Sequence, residues 1–178
     1  MCADNNSPYY GGDNTELQYW DGYDTIAQTH DMCTYLESQG AEGEAAKPFV
    51  AMLSWGTPHD PYNTAPGEYA ALYPDGCTIK LRPNVPSEFS EEATRDLRGY
   101  YAHIAALDDC MAKLLSTLEK TGLASNTIVV FTSKLCFGFV YPYAGHVAAL
   151  VYSIRGYWWR FLCPDERLCA LGPCRRSR

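Results

Sequence analysis

Two apolar runs without a charged residue, separated by a long amphipathic stretch, limit most strongly how this chain of 178 residues can fold. The runs are Pro48 to Trp55 and Asn126 to Ser133, and such runs are typical of strands that are buried on both faces of a sheet. Between them, residues 91 to 120 repeat large apolar side chains at the spacing of a helix that packs on one face. A strand, a helix and a strand in this order predict a right-handed parallel crossover and therefore an α/β fold.

The predicted helix, Glu91 to Lys120, carries its own end signals. The Ser90 hydroxyl is predicted to cap its first turn, and Gly122 is predicted to end it. Asp108 and Asp109 diverge by about 100° around the helix, so we expect a solvated edge or a lysine partner rather than a paired acid–base site. His103 lies one residue from the apolar stripe and is predicted to be a partly buried structural histidine.

His59 is the strongest candidate for chemistry, because it follows the first apolar run directly. Open α/β sheets bind their ligands beyond the C-terminal ends of the strands. Pro58 and Pro61 fix φ on both sides of this histidine and remove two backbone donors, so the loop is predicted to be stiff. A loop histidine that only packs beside Trp55 and Tyr62 is the alternative interpretation.

Six segments follow one another over residues 17 to 133, about two thirds of the chain. They are W-D-G-Y-D-T at 20–25, P-F-V-A-M-L-S-W-G-T-P-H-D-P-Y at 48–62, A-P-G-E-Y-A-A-L-Y at 65–73, L-R-P-N-V-P at 81–86, R-G-Y-Y-A-H-I-A-A-L-D-D at 98–109 and N-T-I-V-V-F-T-S at 126–133. In order and spacing they resemble the middle of the sulfatase family, the arylsulfatase-like members of the alkaline phosphatase superfamily.

The resemblance implies a fragment of a doubly wound, mainly parallel sheet flanked by helices, and hydrolysis of sulfate esters as the family reaction. It implies that His59 contacts the sulfate and helps to protonate the leaving group. It also implies a helix over Asp24 to Gln39, which Asp24 or Thr25 could cap. A sulfated small molecule or a sulfated glycan is the expected partner. Tyr9, Tyr10, Tyr19 and Trp20 would either line the substrate or pack as ordinary core.

Two features of the family pattern are missing from this sequence. Sulfatases make their formylglycine nucleophile from C/S-x-P-x-R, and the nearest segment here, Cys163 to Arg167, has its proline one position early. The family also binds a divalent cation, usually calcium, through an early aspartate pair and a late Asp-His or Asp-Asn pair. Lys134 and Leu135 stand at the late position, and neither side chain offers the oxygen ligand that calcium needs. We therefore expect no metal ligand and no bound calcium in this chain, and no activity of the chain alone.

Composition changes at the same place. Residues 1–133 carry a net charge of −12 and residues 134–178 a net charge of +5, which together give −7. We therefore divide the chain into a partial sulfatase-like catalytic domain, 1–133, and a basic tail, 134–178, which contains Cys and Trp and is not expected to fold independently or to pack in a fixed arrangement. The only dense basic cluster is Arg175, Arg176 and Arg178, so we expect no nucleic-acid partner.

Rival interpretations remain open. The chain could be a non-catalytic remnant or decoy that pairs with a full-length relative, or a fragment tethered to a membrane by the uncharged run 135–154. A complete sulfatase is more than twice this length, so we expect the first half of the domain to be missing. Residues 1–6 have no signal-peptide pattern, which leaves the localisation open. The eight cysteines are spaced too irregularly for zinc, and Cys110 is predicted to be a small buried hydrophobe.

Overall fold

The computed structural model describes residues 8–43, 47–133 and 148–153. Its elements are strands β1 (Pro8–Tyr9) and β2 (Gln18–Tyr19), helices α1 (Asp24–Ala41), α2 (Gly67–Ala70) and α3 (Ser90–Lys120), and strands β3 (Ile128–Ser133) and β4 (Ala148–Ser153). Short 3-10 turns at Ser87–Phe89 and Leu123–Asn126 flank α3. β1 and β2 pair as an antiparallel ribbon. Helices make up most of the regular structure in the described residues.

The two long helices pack side by side and run in the same direction. The Thr25 carbonyl near the start of α1 accepts a hydrogen bond from the Cys110 thiol at 3.9 Å, and further along, Thr117 donates to Cys33 Sγ at 3.4 Å. Buried side chains of α1 are Asp24, Thr25, Thr29, Cys33 and Leu36, and those of α3 are Ala102, His103, Ala106, Cys110, Thr117 and Leu118. Most of them are small, which lets the helices approach closely. Parallel neighbouring helices are what successive crossovers of a parallel sheet produce.

Residues 47–56 lie along α1 in the opposite direction but form no strand. Phe49 makes an edge-on contact with Tyr35 at 5.5 Å between ring centroids, and the Trp55 indole donates to Thr29 Oγ1 at 3.1 Å. The prediction of a strand at Pro48–Trp55 was therefore wrong. Apolar content does not supply a hydrogen-bonded neighbour, and within the described residues this segment pairs with no other strand.

β3 pairs with β4 in antiparallel register, with Ile128 opposite Ser153 and Ser133 opposite Ala148. The predicted parallel pairing of β3 with the first apolar run is absent from the described part of the chain. β4 belongs to residues 134–178, which were expected not to pack in a fixed arrangement; in the described structure, residues 148–153 of this segment pair with β3. The alternation of side chains in an extended segment suits either ladder direction, which is why the sequence did not distinguish them.

Only some of the helix ends lie where the sequence predicted them. α3 ends as predicted, because Gly122 adopts φ +75° and can take the left-handed conformation without a Cβ clash. Its start differs: Phe89 is the N-cap, and Ser90 lies inside the helix with its hydroxyl 3.5 Å from the Pro86 carbonyl. α1 is capped by Tyr23 rather than by Asp24 or Thr25. The predicted end at Gln39 is two residues early.

One face of the two apolar runs is exposed in the described structure. Val50 is 98% exposed, Met52 89%, Ile128 75% and Val130 56%. Sequence analysis predicted cover on both faces of these runs. On the first run, Phe49 and Trp55 contact α1 instead.

The cysteines are in different states. Cys33 and Cys110 are buried and free, as predicted for Cys110, and burial raises the pKa of the Cys110 thiol. Cys77 is disulfide-bonded. Among the described helices none is long and apolar enough to cross a membrane, and most of the run 135–154 lies outside the described residues.

Candidate functional site

His59 projects from a tight loop at the end of the first apolar run. Its amide donates to the Gly56 carbonyl at 3.3 Å, and the peptide bonds before Pro58 and Pro61 are both cis. The imidazole is partly exposed, and its Nδ1 lies 2.5 Å from Asp60 Oδ1 and 3.0 Å from the Asp60 carbonyl oxygen. With Nδ1 engaged by its neighbour, Nε2 is the nitrogen that is presented to a ligand.

The loop is anchored on α1 through hydroxyl groups. The side chains of Thr57 and Thr25 are joined by a hydrogen bond of 2.8 Å, and both residues are buried. Thr25 is fixed in turn, because its amide donates to Asp24 Oδ1 at 2.7 Å. A buried network in which the hydroxyl groups have partners holds the backbone more rigidly than apolar packing alone.

On the other side the loop touches α3. A Cβ added at Gly99 would lie 1.9 Å from the Tyr62 carbonyl oxygen, so only glycine allows the helix backbone to come this close. The rings of Tyr62 and Tyr100 meet edge to face with centroids 6.1 Å apart. Two helices therefore enclose the segment that carries His59.

A buried tyrosine–histidine pair lies between these anchors. Tyr23 Oη is 2.5 Å from His103 Nδ1, and His103 is fully buried. Burial raises the pKa of Tyr23 to about 12, against the hydrogen bonds from Thr57 and Thr25 that lower it. Burial lowers the pKa of His103, while the Pro61 carbonyl and Asp24 act in the opposite direction. At neutral pH the pair is a neutral phenol and a neutral imidazole.

A groove of about 1060 Å³ is lined by Asp60, the residue after His59, but not by His59 itself. Its charged lining residues are Asp60, Asp75, Asp96, Arg95 and Arg98, and its rings come from Tyr62 and Tyr73. Arg98 is engaged, because it donates to Asp75 at 3.0 Å and to the Cys77 carbonyl at 3.2 Å. The lining is mainly apolar, but it contains charged groups of both signs that are close to balance, which suits a ligand with both apolar faces and hydroxyl groups.

The residues present do not fit the calcium site that the resemblance implies. Within the described ranges no three His, Cys, Asp or Glu side chains converge to hold a metal ion. Lys134 and Leu135, at the position of the family's late ligands, lie outside those ranges and carry no oxygen ligand in their side chains. No chemical step in this chain is assigned to a metal.

The other predicted residues are dispersed. His103 is more deeply buried than predicted. Asp108 is exposed, and Asp109 is exposed and accepts a hydrogen bond from the Tyr69 hydroxyl at 3.0 Å rather than pairing with a lysine. Tyr9 stacks on Trp20 with centroids 3.9 Å apart, whereas Tyr10 and Tyr19 are exposed.

Sequence reasoning missed the roles of Tyr23, Thr57 and Gly99. The polar atoms of Tyr23 and Thr57 meet their partners only in the folded chain. Because those partners are distant in sequence, no local pattern predicts the contacts. A glycine inside an otherwise strong helix pattern, as at Gly99, was the one usable signal, since it costs helix stability unless something lies against it.

Comparison with known proteins agrees with this architecture. The family model described as Sulfatase matches residues 2–133. An ulvan-active sulfatase from Formosa agariphila is 42% identical over 129 residues, which are 72% of this chain and 24% of that protein. An endo-4-O-sulfatase from Bacteroides thetaiotaomicron is 29% identical over 132 residues, 65% of this chain and 25% of that protein.

Solved structures give the same answer for the fold. A Bacteroides fragilis structure named as sulfatase yidJ superposes with a TM-score of 0.64 at 25% identity, over 72% of this chain and 29% of that one. The chain thus spans about a quarter of the length of the curated relatives it matches. On the family match and the 42% identity, this chain belongs to the sulfatase family.

Proposed function

We propose that this chain supplies the part of a sulfatase catalytic domain that contacts the sulfate group, in the hydrolysis of a sulfate ester. The observation that carries the proposal is the family match over residues 2–133, together with a relative at 42% identity that is named a sulfatase. His59 is the contact residue. Its loop is anchored on α1 and α3, and Asp60 engages its Nδ1, which leaves Nε2 as the nitrogen that could protonate a leaving oxygen.

The substrate class we propose is a sulfated glycan. Two relatives are named for ulvan and for endo-4-O-sulfatase activity, and the groove beside Asp60 offers two tyrosine rings together with carboxylates and guanidinium groups. Rings and charged hydrogen-bonding groups are the surfaces that suit sugar rings and their hydroxyls. A small sulfated molecule would use less of this groove.

A graft tests the assignment of His59. The matching segment of the Formosa agariphila enzyme is replaced by residues 8–133 of this chain, and desulfation of ulvan is measured. We expect the graft to be active and His59→Ala to lower its kcat by about 10²–10⁴-fold. His30→Ala, at an exposed histidine on α1, is the control and should leave the rate unchanged. A graft that keeps its rate after His59→Ala would refute the assignment.

By itself the chain is proposed to be inactive, because the sequence contains no C/S-x-P-x-R precursor and nucleophilic catalysis cannot begin without the nucleophile. The test is turnover of an aryl sulfate by the purified chain with calcium present. Hydrolysis above background that disappears in His59→Ala would show that another group in this chain acts as the nucleophile.

A second candidate function is favoured by the exposed apolar runs. We propose that the exposed apolar residues of the two runs, Val50, Met52 and Ile128, dock the remainder of a sulfatase domain, since the matched segment makes up only about a quarter of a relative that contains it. Mixing the chain with a full-length relative and measuring the molar mass by light scattering tests this. A mixture of unassociated species would argue against it.

A further inference from the structure

The loop that carries His59 is held at three points by two helices. Trp55 is bound to Thr29 of α1, and Thr57 to Thr25 of the same helix. The end of the loop lies against α3, where Gly99 leaves no space for a Cβ beside Tyr62. Only residues 58–61 lie between the inner anchors, so a small displacement at one anchor turns the His59 imidazole.

His103 lies one helical turn after Gly99 and so on the same face of α3. It contributes the part of that face next to Pro61, whose carbonyl oxygen acts on its ring. The ring is fully buried and lies 5.7 Å from the Tyr23 ring between centroids. The orientation of a buried imidazole at a helix–loop contact is set by its hydrogen bonds more than by its shape, because an unpaired buried ring nitrogen costs folding free energy.

The tautomer of His103 follows from its partner. A buried phenol that stays protonated donates its hydrogen, so His103 Nδ1, 2.5 Å from Tyr23 Oη, must accept. The ring proton of the neutral imidazole then lies on Nε2. This nitrogen is buried and makes no hydrogen bond of ordinary geometry to any residue in the described ranges. Its N–H is therefore available to point toward the loop.

We propose that Tyr23 and His103 form a positioning pair for His59. The Tyr23 hydroxyl holds His103 as the Nε2–H tautomer, and that N–H is directed at the Pro61 carbonyl and fixes the end of the loop. His103 touches no reacting atom, and it acts through Pro61 on the direction of the His59 ring. This inference depends on the proposed sulfate-contacting role of His59 for its functional meaning, but not for its test.

The test is NMR of the full chain labelled with ¹⁵N-histidine. The ¹⁵N shifts of His103 should show an unprotonated Nδ1 and a protonated Nε2 at neutral pH. Two variants then separate hydrogen bonding from volume. His103→Gln retains an N–H near the position of Nε2, whereas His103→Phe retains a ring and removes both ring nitrogens.

We expect the His59 ring resonances to shift in His103→Phe and to return toward their wild-type positions in His103→Gln, while those of the exposed His30 stay unchanged in both. The proposal is overturned if His103 carries its proton on Nδ1. It is equally overturned if His103→Phe leaves His59 unmoved, or if the glutamine variant shifts His59 as much as phenylalanine does.

Tyr23→Phe covers the case in which His103→Phe does not fold, because it removes only one hydroxyl and keeps the ring contact. It should redistribute the His103 proton between the two nitrogens and shift His59 in the same direction as His103→Phe. An unchanged tautomer together with an unchanged His59 would contradict the proposal. None of these NMR measurements depends on catalytic turnover. An inactive graft would therefore count against the proposed function, and unchanged NMR shifts would count against the positioning pair.

Discussion

Individual side chains of one type have different chemistry here because the fold gives them different surroundings. His30 and His59 are both accessible, but only His59 has its Nδ1 bound by a neighbouring carboxylate. His103 is sealed between α1, α3 and the loop, and burial lowers its pKa. One imidazole is thus presented to a ligand, while another is kept neutral inside the structure. That division is what a rigid ligand-contacting loop requires.

His103 should make the fold sensitive to acid. Its pKa is lowered in the folded chain, so between that value and about 6.5 the unfolded state binds more protons, and stability falls as the pH drops through this window. Unfolding free energies from urea titration at about pH 7.5 and about pH 5.5 should differ by at most about 1.4 kcal/mol from this group. His103→Gln should reduce the difference. An equal pH dependence in both proteins would assign it elsewhere.

At the scale of elements, α1 and α3 form the frame, and the His59 loop is held between them. The length and the C-terminal end of α3 could be predicted, because its apolar period and Gly122 are local signals. The partner of β3 and the Tyr23–His103 pair could not, since each depends on residues far away in the sequence. The position of His59 was predicted from local order, whereas the residues that fix it were not.

Gly99 tests the contact between α3 and the loop. Without a neighbour, Gly99→Ala would stabilise the helix by about 0.8–1 kcal/mol. Because its Cβ would lie 1.9 Å from the Tyr62 carbonyl oxygen, we expect destabilisation by about 1–3 kcal/mol instead. Gly67→Ala is the matched control: it has open space around its Cβ position and should change stability by less than about 0.5 kcal/mol. Stabilisation by Gly99→Ala in a urea titration would mean that the loop lies further from α3.

For the whole molecule, the described structure leaves large apolar side chains of both runs uncovered. Phe49 and Trp55 of the first run contact α1, whereas Val50, Met52 and Ile128 are exposed. The matched segment makes up only about a quarter of each of two relatives. Residues 1–133 are acidic and residues 134–178 are basic, so the two parts attract each other electrostatically. In the described ranges, no group of side chains forms a calcium ligand set.

Calcium should leave the stability of the chain unchanged. A ligand stabilises a protein only by binding its folded state, and Lys134 and Leu135 stand where the family has its late ligands. Calorimetry with and without millimolar calcium should give the same Tm, with magnesium as the ionic-strength control. A rise of several degrees with calcium alone would reveal oxygen ligands in another part of the chain.

Substitution on the open apolar face should reduce self-association. We expect Val50→Ser with Met52→Ser to lower the apparent molar mass at high concentration, because both side chains are almost fully exposed and lose nothing by becoming polar. Phe89→Ser, at an exposed apolar residue outside the two runs, serves as the control. Equal effects of the two changes in light scattering would show that general surface hydrophobicity is responsible.

The central claim, that His59 protonates the leaving group of a sulfate ester, is tested most directly by the leaving-group dependence of its removal. In the graft of residues 8–133, kcat/KM is measured with and without His59→Ala for aryl sulfates with phenols of increasing pKa. A weakly acidic phenol needs protonation most, so the account predicts a loss that grows steadily with the pKa of the phenol. A loss of the same size for every phenol would contradict proton donation and leave His59 with a binding role only.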